Sequence, residues 1–296
     1  MTGIRSKQEK AFGVVAHIVM IILTILAVAP FWIMISGSLT DNEVLTKFGY
    51  RFLPEEFSLD AYAYIAREWA QIGNAYLMTL AVTIIGTAVS LVLVSLTAYG
   101  LSQKDVPGVK VISVLILITM LFNGGVVASY IIYTNLFNIK NTIFALIVPN
   151  LLLNGFNVVL VRNYIQNSIP VELQEAAEID GAGMFHIYAK IILPLSKPIL
   201  ATVGLLTAVG YWNDWTNGLY YVTDSKLYTV QLLLNQMNNN IQYLAAHSDL
   251  QMASQNLPGA SIRMAIAVIG ILPILILYPF FQKYFEQGIT MGAVKG

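Results

Sequence analysis

Long stretches without a single charged side chain constrain this sequence more than any motif in it. Thirty residues between Lys10 and Asp41 contain no Asp, Glu, Lys or Arg, and similar runs extend from Trp69 to Gln103, Val111 to Ile139, Asn141 to Val161 and Met264 to Gln282. A bilayer-crossing helix needs about 20 apolar residues, and a charge at its centre costs about 3 kcal/mol, so each run reads as a span. A sixth falls between Leu193 and Gly218, where the charge-free part, Pro198 to Asn213, is 16 residues long. There Lys197 can snorkel to one interface and Asp214 can sit at the other. The expectation is an all-α membrane protein with six transmembrane helices near 12–36, 76–101, 111–134, 142–162, 194–217 and 263–284, all in one transmembrane domain over 1–296. An inner loop would cover 163–192 and an outer loop 218–262.

Composition agrees with that reading: 57% of residues are hydrophobic and 11% charged, where soluble domains carry about 25% charged residues. Acids and bases balance at 16 each, so no net charge draws the chain to nucleic acid. With no cysteine there is no disulfide, thiolate metal site or cysteine nucleophile. The stretch from Leu227 to Ser248 is also charge-free, but Gln231, Asn235, Gln236 and Asn238 to Asn240 would lack partners in hydrocarbon. It is placed outside the bilayer, with Leu227 to Met237 as a short amphipathic helix. Arg5, Lys7 and Lys10 ahead of the first run, with Ala27-Val28-Ala29 within it, resemble a cleaved signal. The run continues to Ile35, beyond a signal core of about 7 to 15 residues, and is read as a retained span.

Orientation follows from the distribution of Lys and Arg. A cytoplasmic N-terminus puts ten inside, among them Arg5, Lys7, Lys10, Lys104 and Arg162, and six outside: Lys47, Arg51, Arg67, Lys140, Lys226 and Arg263. Both termini are therefore expected in the cytoplasm.

The long inner loop is patterned as structure. Ser168 ahead of Pro170, with Glu172 and Glu175 in the first turn, marks a helix start, and Gly181 and Gly183 mark its stop. A second helical segment, Met184 to Ile192, carries Phe185, Tyr188 and Ile191 at helical spacing ahead of Pro194. Composition alone leaves open an interfacial hairpin with no partner. The string EAAEIDGAGMFHIYAKIILP, Glu175 to Pro194, narrows the reading, because it fills every fixed position of the pattern E-A-A, three residues, G, nine residues, I, one residue, L-P.

That pattern is the signature loop of membrane subunits of ATP-binding-cassette (ABC) importers. The chain resembles a permease of the maltose-type carbohydrate-uptake group, in the branch taking up oligosaccharides or uronate-containing sugars. The resemblance is also carried by Phe122 to Gly125, Leu193 to Pro198, Gly210 to Trp215 and Met291 to Gly296. One departure is Val126-Val127-Ala128 after Gly125, where relatives often carry proline.

The resemblance implies a type I ABC importer permease with a cytoplasmic coupling-helix loop, non-catalytic itself and working by alternating access. Its implied partners are a homologous second permease, two cytoplasmic ATPase subunits, an extracellular sugar-binding protein and membrane lipid, with no nucleic acid. Glu175, Ala176, Ala177, Asp180, Gly181 and Gly183 would meet the ATPase: the alanines permit close approach, Glu175 can pair with a basic group, and Gly181 allows a turn. ATP and Mg would belong to that partner, because this chain lacks G-x-x-x-x-G-K-[ST] and binds no cofactor of its own. The tail, Gly292, Val294, Lys295 and Gly296, would reach between the ATPase subunits; a frayed terminus is the bland alternative.

Sugars are held by aromatic faces and by amide or carboxylate hydrogen bonds. Candidates for the substrate path are Asn150, Asn154 and Asn157, and the cluster Tyr211, Trp212, Asn213 and Asp214. Equal weight goes to the readings that Trp and Tyr form an interfacial belt and that Asn ties helices together. The loop from Thr216 to Ile262 would face the binding protein, with Asn238 to Gly259 either entering its sugar cleft or simply solvated.

Other chemistries find little support. His17, His186 and His247 are too dispersed for a metal site, and Ser90 and Ser95 have no base nearby in the sequence for a hydrolase. An ion-coupled secondary transporter is the main rival, weakened by the near absence of ionisable residues at mid-membrane, Asp214 being the closest.

Overall fold

A computed structural model of the chain describes residues 7–103, 106–246 and 259–293. Among these described residues helices account for nearly all of the regular structure, and the pairing between extended residues is a single isolated bridge from Thr40 to Phe57. The chain divides into two compact units, Met1–Trp69 with Gln236–Leu272, and Ala70–Asn235 with Pro273–Gly296.

The first unit is built on α1, Lys7–Ser38. Its side chains from Phe12 to Trp32 point outward on every side, an arrangement suited to lipid. Two short helices follow, α2 (Asn42–Phe48) and α3 (Asp60–Arg67). The Asp41 carboxylate starts α2 by accepting from the Glu43 and Val44 amides at 2.8 and 3.4 Å. Ser38 and Tyr62 share a hydrogen bond of 2.9 Å, Trp32 Nε1 donates to the Phe52 carbonyl at 2.8 Å, and Arg263 donates to Asn238 and Tyr50 at 2.9 and 3.0 Å.

The second unit opens with α4, Trp69–Ser102, apolar and free of proline over 34 residues. After it come α5 (Val109–Leu121) and α6 (Gly125–Ile131), the latter continued by a wide π turn over Ile132–Leu136. Next are α7 (Phe144–Ile147), α8 (Gly155–Ser168) and α9 (Glu172–Ile179). Then α10 (Met184–Ile187) passes through a second π turn, Tyr188–Ile192, into α11 (Leu193–Leu195). The series closes with α12 (Lys197–Trp212), α13 (Thr216–Tyr221), α14 (Val230–Ala246) and α15 (Ala260–Ala293), of which residues 236–246 and 260–272 belong to the first unit.

These helices differ from the expected spans in instructive ways. By length and composition, among the described residues, two helices can each cross a membrane, Ala11–Ser38 and Trp69–Ser102. The bent pair Met184–Leu195 and Lys197–Trp212 makes a third if taken as one span. Its bend is 78°, at Ser196, where Pro198 has no N–H with which to continue the ladder to the turn before it. The helix expected over 111–134 is broken at Phe122–Gly124: Phe122 is extended, and Gly125 takes φ +80° while its amide donates to Asn123 Oδ1 at 2.9 Å.

The helix expected over 142–162 is likewise interrupted from 148 to 154. Pro149 lacks an amide proton and Asn150 adopts φ +63°, a left-handed conformation that asparagine tolerates better than most residues. The Asn154 side chain then starts α8 by accepting from the Phe156 and Asn157 amides. In the outer loop, the helix expected from Leu227 begins at Val230, where Thr229 Oγ1 caps it, and runs on to Ala246.

Two apolar clusters hold this unit. One packs Val94, Ala98 and Tyr99 of α4 against Val158 and Val161 of α8, Ile187, Tyr188, and Val203 of α12. The other joins Val82, Ala145, Leu146, Tyr211, Tyr221 and Val222. In lipid, helix association depends on close packing more than on hydrophobic burial, and small residues allow it. Gly86 lies against the Tyr211 ring, Gly204 against Leu91 and Gly155 against Met120.

Candidate functional site

The inner-loop residues form the expected hairpin. α9 begins at Glu172, with the Gln174 and Glu175 amides donating to the Val171 carbonyl. Ser168 is not its cap: that residue closes α8, and no side chain caps α9. At the other end the Gly181 amide donates to Glu178 O at 3.0 Å and the Ala182 amide to Ala177 O at 2.9 Å, the paired bonds of a Schellman stop, with Gly181 at φ +79°. Gly183 follows as the entry residue of α10.

The outer surface of this hairpin is apolar and unburied. Ile179 is 86% exposed and Phe185 74%, beside exposed Leu173 and Met184. Glu172, Glu175, Glu178 and Asp180 surround them, also exposed. Ala176 is exposed, while Ala177 turns inward onto the core cluster.

Beneath that surface the hairpin is tied firmly to the helices behind it. Tyr188 and Ser95 share a buried hydrogen bond of 2.7 Å, Tyr99 donates to Met184 O at 3.3 Å, and the Tyr99 and Tyr188 rings lie 5.5 Å apart. Gln103 donates to Gln174 Oε1 at 3.1 Å. From α8, Arg162 Nε and Gln166 Nε2 donate to the last carbonyls of α4, Leu101 and Ser102, at 3.0 and 3.3 Å, placing a cation at the negative end of that helix. Tyr164 donates to Leu195 O at 3.4 Å. The tail cannot be placed in the same way: Gly292 lies in the last turn of α15, and Val294, Lys295 and Gly296 lie outside the described residues, as does most of Asn238 to Gly259.

A second feature sits where the two broken helices come together. A cavity of about 620 Å³ is lined by Thr119 and Met120 of α5, Tyr133 of the π turn, Asn150, Asn154 and Phe156. Its size falls within the range of about 300–1,000 Å³ usual for small-ligand sites. Irregular backbone at membrane depth is tolerated where it is buried in protein or lines a water-filled cavity, which gives the unwound segment 148–154 its physical place.

The substrate-path candidates separate accordingly. Asn154 lines the cavity, as does Asn150. Asn157 is buried and donates to Thr207 Oγ1 at 3.3 Å, tying α8 to α12. Tyr211 is 1% exposed and its hydroxyl donates to Ile147 O at 2.8 Å. Trp212 is buried beside it. Asn213 donates to Val209 O and accepts from Gln231, and the Asp214 carboxylate accepts from the Thr216 and Asn217 amides at the start of α13. Tyr211, Asn213 and Asp214 thus each have hydrogen-bond partners within this chain. Thr119 and Tyr133 reach the cavity without having stood out in the sequence; the traces they left were the Asn123–Gly125 and Pro149–Asn150 interruptions of apolar runs. Away from the cavity, Asn141 ties the start of the fourth run to the segment after α13, its side-chain Oδ1 accepting from the Thr223 and Asp224 amides at 2.6 and 3.2 Å.

Described residues that are almost entirely helical, outward-facing apolar helices, apolar runs broken around a polar cavity and an exposed hairpin mounted on the helices behind it together define a transport permease. Comparison with known proteins makes the assignment specific. Residues 106–291 match the family described as binding-protein-dependent transport system inner membrane component, and the chain belongs to that family. It is 36% identical over 98% of its length, and the whole of the relative's, to the polygalacturonan/rhamnogalacturonan transport system permease protein YtcP of Bacillus subtilis (strain 168). It is 28% identical over 90% of its length, and 91% of the relative's, to the melibiose/raffinose/stachyose import permease protein MelC of the same organism. A chain in the crystal structure of a bacterial ABC transporter involved in the import of the acidic polysaccharide alginate superimposes with a TM-score of 0.80, at 29% identity, over 96% of this chain and all of that one. The fold is that of a type I ABC importer permease.

Proposed function

We propose that this chain is the membrane-spanning subunit of an ATP-driven, binding-protein-dependent importer of oligosaccharides, forming half of the translocation path. The observation that carries the reading is the exposed apolar face of the α9 hairpin, rigidly mounted yet left uncovered by the described residues. Such a face in water calls for a protein partner. Under this reading the partner is a cytoplasmic ATPase, two copies of which bind ATP and Mg and drive the importer. A homologous second permease completes the path, and an external binding protein delivers sugar to the outer loop. The chain lies in the bacterial plasma membrane with both termini cytoplasmic, and its tail, Gly292 to Gly296, reaches the ATPase. The substrate class follows from the relatives, whose names refer to pectic and raffinose-type sugars.

The decisive assay is uptake into proteoliposomes holding the assembled complex. ATP added on the hairpin side is expected to drive accumulation, with a proton gradient alone giving none. Accumulation by the isolated chain under a proton gradient would instead establish the ion-coupled alternative.

Within this reading the cavity at the broken spans holds part of the sugar, with Asn150 and Asn154 as hydrogen-bonding amides and Tyr133 as the aromatic face. Asn150 permits a clean test because its backbone is left-handed. Asn150→Gly keeps that conformation at little cost and removes only the amide, whereas Asn150→Ala adds strain of about 1 kcal/mol. If the amide contacts sugar, the glycine variant keeps the wild-type melting temperature and raises the KM for uptake roughly tenfold, as expected for a lost hydrogen bond of about 1–1.5 kcal/mol. Unchanged KM in that variant would assign Asn150 to backbone geometry alone.

A further inference from the structure

We infer that α4 is a strut carrying movement of the inner hairpin to the outer loop, and that Thr79 and Asn74 are the positioning residues at its outer end. The inference rests on the permease reading and extends it by naming a route inside one chain.

α4 is suited to the task by what it lacks. It runs 34 residues without proline or break, whereas the third and fourth apolar runs are interrupted and the pair Met184–Leu195 and Lys197–Trp212 turns through 78°. At 1.5 Å per residue it extends about 50 Å, enough to connect both faces of a bilayer. An unbroken hydrogen-bonded helix resists compression along its axis, so displacement at one end reaches the other with little lost to bending at a hinge.

Both ends are fastened. At the inner end Ser95 bonds Tyr188, Tyr99 bonds the Met184 carbonyl and Gln103 bonds Gln174, so the hairpin cannot shift without α4. Near the middle Gly86 seats the Tyr211 ring of α12. At the outer end Thr79, 1% exposed, donates to Ala75 O at 2.7 Å and accepts from the Val230 amide at 3.0 Å. That amide belongs to the first residue of α14 and has no partner within its own helix. One turn further out, Asn74 Nδ2 donates to Lys226 O at 2.7 Å in the segment leading into α14. Leu232 of α14 also packs over Gly218 of α13. From Thr79 to Ser95 the bonded groups lie about 24 Å apart along the helix. Buried hydrogen bonds at both ends, made to elements on opposite faces, give the contiguous two-ended linkage that mechanical coupling requires.

The chain has no native cysteine, so spin labels can be placed cleanly at exposed Lys190→Cys and Ser225→Cys, one near each end of the strut. In the complete complex in nanodiscs, the label-to-label distance by pulsed EPR is expected to stay constant between the nucleotide-free and the ATP-vanadate-trapped states. Thr79→Val, which removes the acceptor for Val230 while keeping volume, is expected to lower uptake roughly tenfold with basal ATP hydrolysis and complex yield unchanged, and to broaden the distance distribution on trapping. Thr79→Ser restores both. A distance that changes by several ångströms in the wild type, or full uptake by Thr79→Val, would overturn the strut while leaving the permease reading intact. A complex with no ATP-dependent uptake would remove both.

Discussion

Ile179→Asp is expected to abolish ATP-driven uptake while leaving the chain folded and inserted. The side chain is 86% exposed at the end of α9, so exchanging it in the free subunit changes stability by no more than about 0.5 kcal/mol. Under a docked partner the same position is desolvated, and an unpaired carboxylate there costs about 3–5 kcal/mol, roughly a 150-fold to 5,000-fold loss of complex. The surrounding Glu172, Glu175, Glu178 and Asp180 sharpen the effect, because a fifth carboxylate adds repulsion within the hairpin's own acidic rim. Affinity purification through a tag on this chain, followed by gel densitometry of the ATPase band, measures docking directly, and uptake measures its consequence. Ile179→Val should retain both. Wild-type ATPase recovery and uptake from the aspartate variant would show that the hairpin's apolar face is not where the motor sits.

The hairpin was legible because its signals are local. Gly181 stands where only a left-handed residue closes a helix, the acidic residues stand in the first turn, and both act over spans of three or four residues. Its start was misplaced for a related reason: Ser168 reads as a cap only if the previous helix has ended, and nothing within a few residues says that α8 continues to that point. Gaps between charges located apolar segments well, since desolvation of charge is the largest energy in the problem. They are blind to the backbone inside a gap. Pro149-Asn150 and Asn123-Gly124-Gly125 interrupt helices without adding charge, so the third and fourth runs looked like intact spans when each is two helices around a cavity. Asp214 shows the converse limit, for its charge draws attention in the sequence while the helix start its carboxylate makes at α13 becomes visible only in the fold. Tyr133 and Thr119 were invisible because what makes them interesting is proximity to residues far along the chain.

Gly86 shows the same limit with the largest structural penalty. In the sequence it is one of several small residues in an apolar helix, and helix propensity alone predicts that alanine would improve α4 by about 1 kcal/mol. The structure reverses the sign. A Cβ at position 86 would lie 2.5 Å from Cζ of Tyr211 and 2.7 and 2.8 Å from its Cε atoms, well inside contact distance. A flexible neighbour would yield, but this ring is buried among Val82, Ala145, Leu146 and Ile147, and its hydroxyl donates to Ile147 O at 2.8 Å. Displacing it combines overpacking of about 1–3 kcal/mol with about 1–3 kcal/mol for an orphaned buried hydroxyl. Gly86→Ala is therefore expected to destabilise the chain by about 3 kcal/mol, and Gly86→Leu to prevent assembly. Thermal unfolding of the purified chain in detergent reads the first effect, and yield of the complex the second. Tyr211→Ala alone costs about 3–5 kcal/mol through the cavity it leaves. Because that change removes the atoms Gly86 avoids, the double variant should be more stable than the sum of the single losses by at least about 1.5 kcal/mol. Additive losses would mean that the glycine serves some need other than room for the ring, and the seat joining α4 to α12 would lose its physical basis.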